Sequence, residues 1–218
     1  MGKYEAVIFD LDGTLLDTLE DLTDSVNAAL ACYHCPQKSI DQICAYVGNG
    51  IRNLIQRSLE GGEDHPDFEH IFQAFRTHYK ANCKNKTKPY DGVTKLLRTL
   101  NERGIKMAIV SNKADFAVKE LNAYYFKEFG ITAIGEKEGV RRKPSPDTLY
   151  EAMRILGVSA EKTVYVGDSE VDVETAANAK VPCISVLWGF RSKEVLLEHD
   201  AKYFAETADD LLRLLENF

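Results

Sequence analysis

The sequence predicts an α/β protein in which a parallel sheet is interrupted, directly after its first strand, by a helical insertion. From residue 91 onward, helical patterns alternate with short apolar runs, which indicates a parallel sheet covered on both faces. Residues 16–85 show helical patterns only, and they follow the first strand at once. We therefore expect a Rossmann-like core formed by residues 1–15 and 86–218, and a helical cap domain formed by residues 16–85.

The first strand is predicted over residues 4–10, where the apolar run AVIF leads directly into Asp10. From Asp17 the apolar residues change to helical spacing, and further cap helices are expected over 39–46, 51–60 and 66–82. The cap ends in the polar, basic stretch KANCKNKTKPYDG, whose proline and glycine indicate a hinge.

The second half supplies the remaining layers of the sheet. Helical patterns end at glycines or lead into apolar runs of four to seven residues, as expected for βα units. Helices are predicted over 91–103, 114–126, 146–156, 171–180 and 207–217. Strands are predicted over 105–111, 131–135, 163–168 and 183–188.

Composition limits the classes of partner. A net charge of −7 and a pI near 5.3 argue against nucleic acid or an anionic membrane as partner. No apolar stretch is long enough to span a bilayer, and no signal peptide is expected, so we predict a cytoplasmic protein. Five scattered cysteines fit that compartment, and we interpret the Cys32/Cys35 pair as ordinary thiols. Both a monomer and a homodimer remain open.

Polar residues stand where the predicted strands end. Asp10 follows the first strand, Ser111 the second, and Asp168 the strand TVYVGD. Ligands of open parallel sheets bind outside the carboxyl ends of the strands, so these side chains are expected at one edge. Asp12 lies just past Asp10, and Asp172 lies one helical turn after Asp168.

Four carboxylates at one edge repel one another. At about 4 Å and an effective dielectric constant near 20, each pair costs roughly 4 kcal/mol. A hard divalent cation offsets this repulsion, and Mg²⁺ fits a set of oxygen ligands. Lys143, in the segment RRKPSPD, adds a fixed ammonium group. Gly13 permits a tight turn, and Thr14 offers a hydroxyl and an amide to a phosphate oxygen.

These residue types suit phosphoryl transfer. An aspartate is a competent nucleophile that forms an aspartyl-phosphate. A second carboxylate two residues further on is able to protonate the leaving oxygen and then deprotonate the attacking water. A calcium loop of the EF-hand type is disfavoured, because Leu15 stands where that loop requires glycine.

Four segments together resemble the motifs of the haloacid dehalogenase (HAD) superfamily, namely FDLDGTLLDT, VSNK, RRKPSPD and VYVGDSEVD. The helical insertion is similar to that superfamily's C1 cap. The resemblance implies that Asp10 is the nucleophile and Asp12 the general acid/base. It also implies that Ser111 and Lys143 bind the phosphoryl group, and that Mg²⁺ is held by Asp168, Asp10 and the backbone carbonyl of Asp12, with Asp172 close by or a direct ligand.

The reaction class is then chosen among members of this superfamily. Asp12 argues against a dehalogenase, and no lysine in a clearly apolar cap environment supports a phosphonatase. Hydrolysis of a small phosphorylated metabolite is the default, and pyrophosphatase, nucleotidase and β-phosphoglucomutase remain alternatives. An inactive phosphate-binding regulatory protein is the alternative from a different class, although such a protein needs neither Asp10 nor Asp12.

Three stretches are most similar to phosphoglycolate phosphatases, which makes 2-phosphoglycolate the expected substrate: YVGNGIRNLI, the Asn112-Lys113 pair and LWGF. Asn112 is accordingly a candidate phosphate ligand. The cap, expected to act as a lid, contributes a turn at Gly48, Asn49 and Gly50. The candidate cations for the substrate carboxylate are Arg52, Lys113 and Arg191.

Overall fold

Parallel strands form the main sheet of this protein, seen in a computed structural model that describes residues 4–217. In chain order the strands are β1 (Ala6–Phe9), β2 (Leu16–Asp17), β3 (Lys88–Pro89), β4 (Lys106–Ala114), β5 (Thr132–Glu136), β6 (Thr163–Gly167), β7 (Cys183–Val186) and β8 (Tyr203–Ala205). The main sheet has the order β5-β4-β1-β6-β7-β8, and β2 and β3 form a separate two-stranded sheet.

Helices connect these strands and form the insertion. They are α1 (Leu19–Cys32), α2 (Ile40–Tyr46), α3 (Gly50–Ser58), α4 (Phe68–Asn82), α5 (Val93–Glu102), α6 (Asp115–Tyr125), α7 (Asp147–Leu156), α8 (Glu170–Ala179), α9 (Lys193–Glu198) and α10 (Ala208–Asn217). No helix within residues 4–217 has the length and apolar character needed to cross a bilayer.

Strand β1 lies at the centre of the sheet because it is apolar on both faces. All four of its residues are buried, and Phe9 is in register with Ile109 on one side and Val166 on the other. The chain moves outward from β1 to β4 and β5, then returns to β6 on the opposite side of β1. This reversal creates a switch point at the carboxyl ends of β1, β4 and β6, where ligands of such sheets bind.

The predicted α/β class is confirmed, and the structure adds elements that the pattern did not indicate. Helix α9 and strand β8 lie between the strand predicted over 183–188 and the helix predicted over 207–217, where no element was predicted, because each is too short to show a clear period. Strand β4 continues to Ala114, beyond the predicted end at residue 111, through an irregularity in its register with β5.

Contacts divide the chain into two compact units, one formed by residues 1–16 and 89–218 and the other by residues 17–88. The sequence predicted a core of residues 1–15 and 86–218 and a cap of residues 16–85. These predicted boundaries differ by only a few residues from those of the two units. That the units are separate domains stays a prediction.

The unit of residues 17–88 is built around apolar faces of its helices. Phe68, Ile71, Phe75 and Tyr79 are the buried residues of α4, at the spacing expected for one helical face. Asp21 of α1 accepts hydrogen bonds from the backbone amides of Lys86 and Thr87, at 2.8–3.1 Å. The carboxylate therefore ties the end of this unit to its first helix.

Candidate active site

Three buried carboxylates meet beyond the carboxyl ends of β1 and β6. Asp10, Asp168 and Asp172 each place an oxygen atom within 4.8 Å of the other two. Asp10 and Asp168 follow their strands directly, and Asp172 lies in the first turn of α8. The sequence-based expectation that these side chains gather at one edge is therefore met in the structure.

The Lys143 ammonium lies among these carboxylates. Its Nζ is 2.9 Å from Oδ1 of Asp10 and 2.7 Å from Oδ1 of Asp172. The contact with Asp172 is a hydrogen bond, whereas the Asp10 oxygen is buried without a well-directed hydrogen bond. Burial alone would lower the pKa of Lys143, but Asp10 and Asp172 raise it above its usual value. The lysine is therefore a fixed positive charge.

Asp172 has both oxygens occupied by donors. Oδ1 accepts hydrogen bonds from Lys143 Nζ and the Tyr165 hydroxyl, the latter at 3.0 Å. Oδ2 accepts from the Ser169 hydroxyl at 2.6 Å, the Ser169 amide at 3.1 Å and the Asp168 amide at 3.2 Å. Burial would raise the pKa of Asp172, but these donors, above all Lys143, hold it below its usual value. The geometry suits a residue that orients Lys143 better than a direct metal ligand.

Asp168 is held in a narrow space between two glycines. A Cβ atom at Gly13 or at Gly189 would lie 2.3 Å from an atom of the Asp168 side chain. The carboxylate accepts hydrogen bonds from the Thr14 hydroxyl at 3.1 Å and the Phe190 amide at 2.7 Å. Thr14, expected to bind phosphate, thus donates a hydrogen bond from its hydroxyl to Asp168 in this structure.

Asn112 fixes the loop that carries Lys143. Its side-chain amide donates to the Lys143 carbonyl at 3.0 Å and accepts from the Lys143 amide at 2.8 Å. Asn112, expected to bind phosphate, therefore contacts the backbone of Lys143, the other residue expected to bind phosphate. The Tyr165 hydroxyl accepts a further hydrogen bond from Lys143 Nζ at 3.0 Å.

Asp12 has a separate cationic partner. The Nζ atom of Lys113 lies 2.9 Å from each of the two Asp12 oxygens, and the Lys113 side chain is 2% exposed. The Lys113 amide donates to the Ser111 hydroxyl at 3.2 Å. Ser111 is buried within β4, which was expected to end at this residue but continues to Ala114, and the ammonium of Lys113 faces Asp12.

Excess negative charge marks the site. The pKa of Asp10 is raised to about 7, because burial and the charges of Asp172 and Asp12 together outweigh the opposing effect of Lys143. Burial, Asp172 and Asp10 together raise the pKa of Asp168 well above its usual value. Ionising both carboxylates at neutral pH is therefore unfavourable unless further positive charge is present.

The donor set fits a divalent metal ion. The charged groups described above comprise four carboxylates and two ammonium groups, which leaves two negative charges. All the acidic ligands are carboxylate oxygens, which Mg²⁺ and Ca²⁺ prefer. Asp10 and Asp168 are the best suited to bind it, because the oxygens of Asp172 already accept five hydrogen bonds.

The candidate specificity residues of the insertion belong to the other unit. Gly48 and Gly50 both have positive φ values, 121° and 81°, and flank Asn49 at the start of α3. The Arg52 guanidinium bonds to Glu63 and Glu69, at 3.1 and 2.6 Å, and stacks over Phe68. In this structure its charge is therefore already paired.

Arg191, the third candidate cation, lies in the α/β unit. It donates to Glu170 at 2.9 Å, and its side chain is largely buried. Glu170 lies at the start of α8, close to Asp168 in sequence, and it gives Arg191 a carboxylate partner within the protein.

Three contributors to the site were not predicted as site residues. They are Tyr165 and Ser169, which bind Asp172, and Phe190, whose amide binds Asp168. Tyr165 could have been identified from the sequence, because a tyrosine in an otherwise aliphatic buried strand needs a hydrogen-bond partner for its hydroxyl. Phe190 lies in the LWGF stretch, noted only for its likeness to one group of phosphatases.

Comparison with known proteins shows what this chain is similar to. The sequence profile of the haloacid dehalogenase-like hydrolases matches residues 7–186. Phosphoglycolate phosphatase from Pseudomonas putida is 34% identical, over 96% of this chain and 78% of that protein. Phosphoglycolate phosphatase from Aquifex aeolicus is 32% identical, over 97% of this chain and 96% of that protein.

A solved structure extends the similarity to three dimensions. A Lactobacillus delbrueckii subsp. bulgaricus protein, provisionally named phosphoglycolate phosphatase, has a TM-score of 0.92 and is 34% identical. The match covers 99% of this chain and all of that chain. The shared fold therefore includes the strands and loops that carry the acidic cluster.

Proposed function

Since this chain belongs to the haloacid dehalogenase-like hydrolase family, we propose that it is a magnesium-dependent phosphomonoester hydrolase whose substrate is 2-phosphoglycolate. The observation that carries the proposal is the placement of two nearby aspartates with separate cationic partners. The carboxylate of Asp10 lies 2.9 Å from the Lys143 ammonium, and the carboxylate of Asp12, two residues further on, is bound by Lys113. This pair supplies a nucleophile and a separate proton carrier.

In the first half-reaction, an oxygen of Asp10 attacks phosphorus and the bond to the leaving oxygen breaks. Asp12 gives its proton to that oxygen, so glycolate leaves as an alcohol rather than as an alkoxide. In the second half-reaction, water loses a proton to Asp12 and attacks phosphorus, which breaks the aspartyl-phosphate and releases inorganic phosphate. Asp10 and Asp12 end in the states in which they began.

Lys143 is the residue proposed to bind the phosphoryl oxygens through both steps. Its ammonium is fixed by Asp172, Tyr165 and the loop bonded to Asn112, so little reorganisation accompanies the reaction. Ser111 lies near the end of the neighbouring strand and contributes a hydroxyl for the same oxygens. These residues serve any phosphomonoester alike.

Asp10 and Asp168 would hold the metal ion, together with the backbone carbonyl of Asp12. When bound, Mg²⁺ supplies positive charge that favours the ionised nucleophile and offsets the charge of the phosphoryl group. The raised pKa values of Asp10 and Asp168 support this assignment, because a nearby cation reverses the effect of burial.

The substrate assignment rests on relatives that cover almost all of this chain. The relatives from P. putida and A. aeolicus are both named phosphoglycolate phosphatase. Pyrophosphatase, nucleotidase and β-phosphoglucomutase activities remain the alternatives within the superfamily, because the residues around Asp10 contact only the group these substrates share.

A panel of phosphorylated metabolites tests the proposal. Phosphate release is measured for 2-phosphoglycolate, pyrophosphate, nucleoside monophosphates, β-glucose 1-phosphate and p-nitrophenyl phosphate, with Mg²⁺ or with EDTA. We expect the highest kcat/KM for 2-phosphoglycolate with Mg²⁺, loss of turnover in EDTA, and inhibition by Ca²⁺, whose looser coordination misplaces the nucleophile. Turnover of another substrate of the panel, without turnover of 2-phosphoglycolate, would overturn the substrate assignment. Phosphate binding without any turnover would instead support the inactive regulatory protein.

A further inference from the structure

Lys113 carries a buried ammonium group that the reaction described above does not use. Its Nζ atom lies 2.9 Å from Oδ1 and 2.9 Å from Oδ2 of Asp12. The Lys113 side chain is 2% exposed and that of Asp12 is 13% exposed. A buried ammonium requires a partner, so this ion pair is a stable part of the site rather than a passing surface contact.

The backbone around Lys113 is held closely by its neighbours. Strand β4 continues past Ser111 to Ala114, and the Lys113 amide donates to the Ser111 hydroxyl at 3.2 Å. On the neighbouring strand, a Cβ atom at Gly135 would lie 2.6 Å from the Lys113 carbonyl oxygen and 2.5 Å from the Asp115 Cα atom. Glycine at this position therefore allows the Lys113 segment to approach β5 closely.

Contact through both oxygens has a specific consequence for Asp12. A carboxylate held through one oxygen still rotates about its Cβ–Cγ bond, whereas two contacts to one ammonium fix its plane. The lysine also loses its usual rotamer freedom, since its side chain is buried along its length. Such preorganisation matters for a group that must meet first a leaving oxygen and then a water molecule.

We propose that Lys113 is a positioning residue for Asp12, which rests on the function proposed above. As the first half-reaction ends, Asp12 has given its proton to the leaving oxygen and is a carboxylate that accepts both Lys113 hydrogen bonds. In the second half-reaction the same carboxylate takes a proton from water. Lys113 stays protonated throughout and exchanges no proton. This role replaces the expectation that Lys113 binds the substrate carboxylate.

The test compares Lys113→Met with the control Lys95→Met. Lys95 also lies 3.0 Å from an aspartate, Asp209, but both side chains are exposed, so its loss removes a lysine–aspartate pair away from the site. Rapid-quench kinetics, with Mg²⁺ present in the reaction, measure release of the alcohol in a single turnover. The substrates are 2-phosphoglycolate, whose alkoxide needs a proton, and p-nitrophenyl phosphate, whose leaving group does not.

For Lys113→Met we expect alcohol release from 2-phosphoglycolate to slow by about 10- to 100-fold, part of the usual general-acid contribution. In the same variant, the rate of p-nitrophenolate release should change by less than about threefold, and KM for 2-phosphoglycolate should change by less than about twofold. The conservative variant Lys113→Arg should recover part of the lost rate. Lys95→Met should behave as the wild type.

Two results would overturn the proposal. A rise in KM for 2-phosphoglycolate with unchanged release rates would show that Lys113 binds the substrate carboxylate. Equal slowing with both substrates would show a general disturbance of the site. Failure of the proposed function is distinguishable, because the wild-type protein would then release no phosphate from 2-phosphoglycolate, whether or not it hydrolyses p-nitrophenyl phosphate.

Discussion

The ammonium of Lys143 lies 2.7 Å from Oδ1 of Asp172, and both side chains are almost completely buried. Neither charge is stable there alone, so each depends on the other. Four further donors fix the Asp172 carboxylate, which in turn fixes the ammonium next to Asp10. The positive charge of the site is thus held in place by the fold itself.

Removing the negative partner should destabilise the protein. For Asp172→Asn we expect the free energy of unfolding, measured by urea titration in EDTA, to fall by about 3–5 kcal/mol, as for other broken buried pairs. The control Asp209→Asn, which breaks an exposed pair with Lys95, should cost less than about 1 kcal/mol. A similar small cost for both variants would show that the buried pair does not organise the site.

Stabilisation by Mg²⁺ should increase with pH. The pKa of Asp10 is raised from its ordinary value near 3.8 to about 7, and that of Asp168 is also raised. At pH values between the ordinary and the raised pKa, the metal-free folded state therefore binds more protons than the unfolded state. The stability contributed by these groups is present at low pH and is lost as pH rises through the folded-state pKa. Mg²⁺ favours the ionised carboxylates, so the difference in Tm between Mg²⁺ and EDTA should be larger at pH 8 than at pH 5.

The variant Asp168→Asn serves as the control for this series, because it removes one carboxylate of the proposed metal site. Its Tm should respond weakly to Mg²⁺ at every pH. A wild-type difference in Tm that is the same at pH 5 and pH 8 would argue against metal binding by these ionised groups.

Asp12→Asn should turn over slowly, and it should also be less stable than the wild type because it leaves the buried Lys113 ammonium without a charged partner. The amide keeps the shape of the side chain but carries no proton between leaving group and water, so kcat for 2-phosphoglycolate should fall by about 100- to 10,000-fold. Steady-state phosphate release measures the loss. A kcat within threefold of the wild type would remove Asp12 from the proposed mechanism.

Arg52→Gln tests the predicted contribution of the helical insertion to substrate choice. If Arg52 exchanges Glu63 and Glu69 for the substrate carboxylate, KM should rise about tenfold or more for 2-phosphoglycolate and little for p-nitrophenyl phosphate. Arg154→Gln is the control, since Arg154 is an exposed arginine paired with Glu151. Equal changes for both substrates would mean that Arg52 does not bind the carboxylate.

Much of the fold was predictable because the strands are apolar and the helices amphipathic. Strand β1 is buried on both faces and stands out as an uninterrupted apolar run, and α4 shows its core face through Phe68, Ile71 and Phe75. Strand β8 has only three residues, and its pairing with β7 depends on contacts distant in sequence. Local patterns do not contain that information.

The acidic cluster was predictable for a related reason, since residues at the ends of adjacent parallel strands must meet. The partners within the cluster were not, because they depend on side-chain directions. Sequence reasoning assigned Thr14 and Asn112 to phosphate, but the structure pairs them with Asp168 and the Lys143 backbone. The spacing of the motif gives no indication that Lys113 faces Asp12.

Phosphate release by Asp10→Asn is the most direct test of the account. The amide is nearly isosteric with the carboxylate but is a poor nucleophile, so the variant should remain folded and lose at least about 1,000-fold in kcat with 2-phosphoglycolate and Mg²⁺. Circular dichroism and Tm verify that it is folded, and the exposed-site variant Asp209→Asn should keep wild-type turnover. A folded Asp10→Asn protein that releases phosphate at a rate within tenfold of the wild type would contradict a covalent reaction at Asp10.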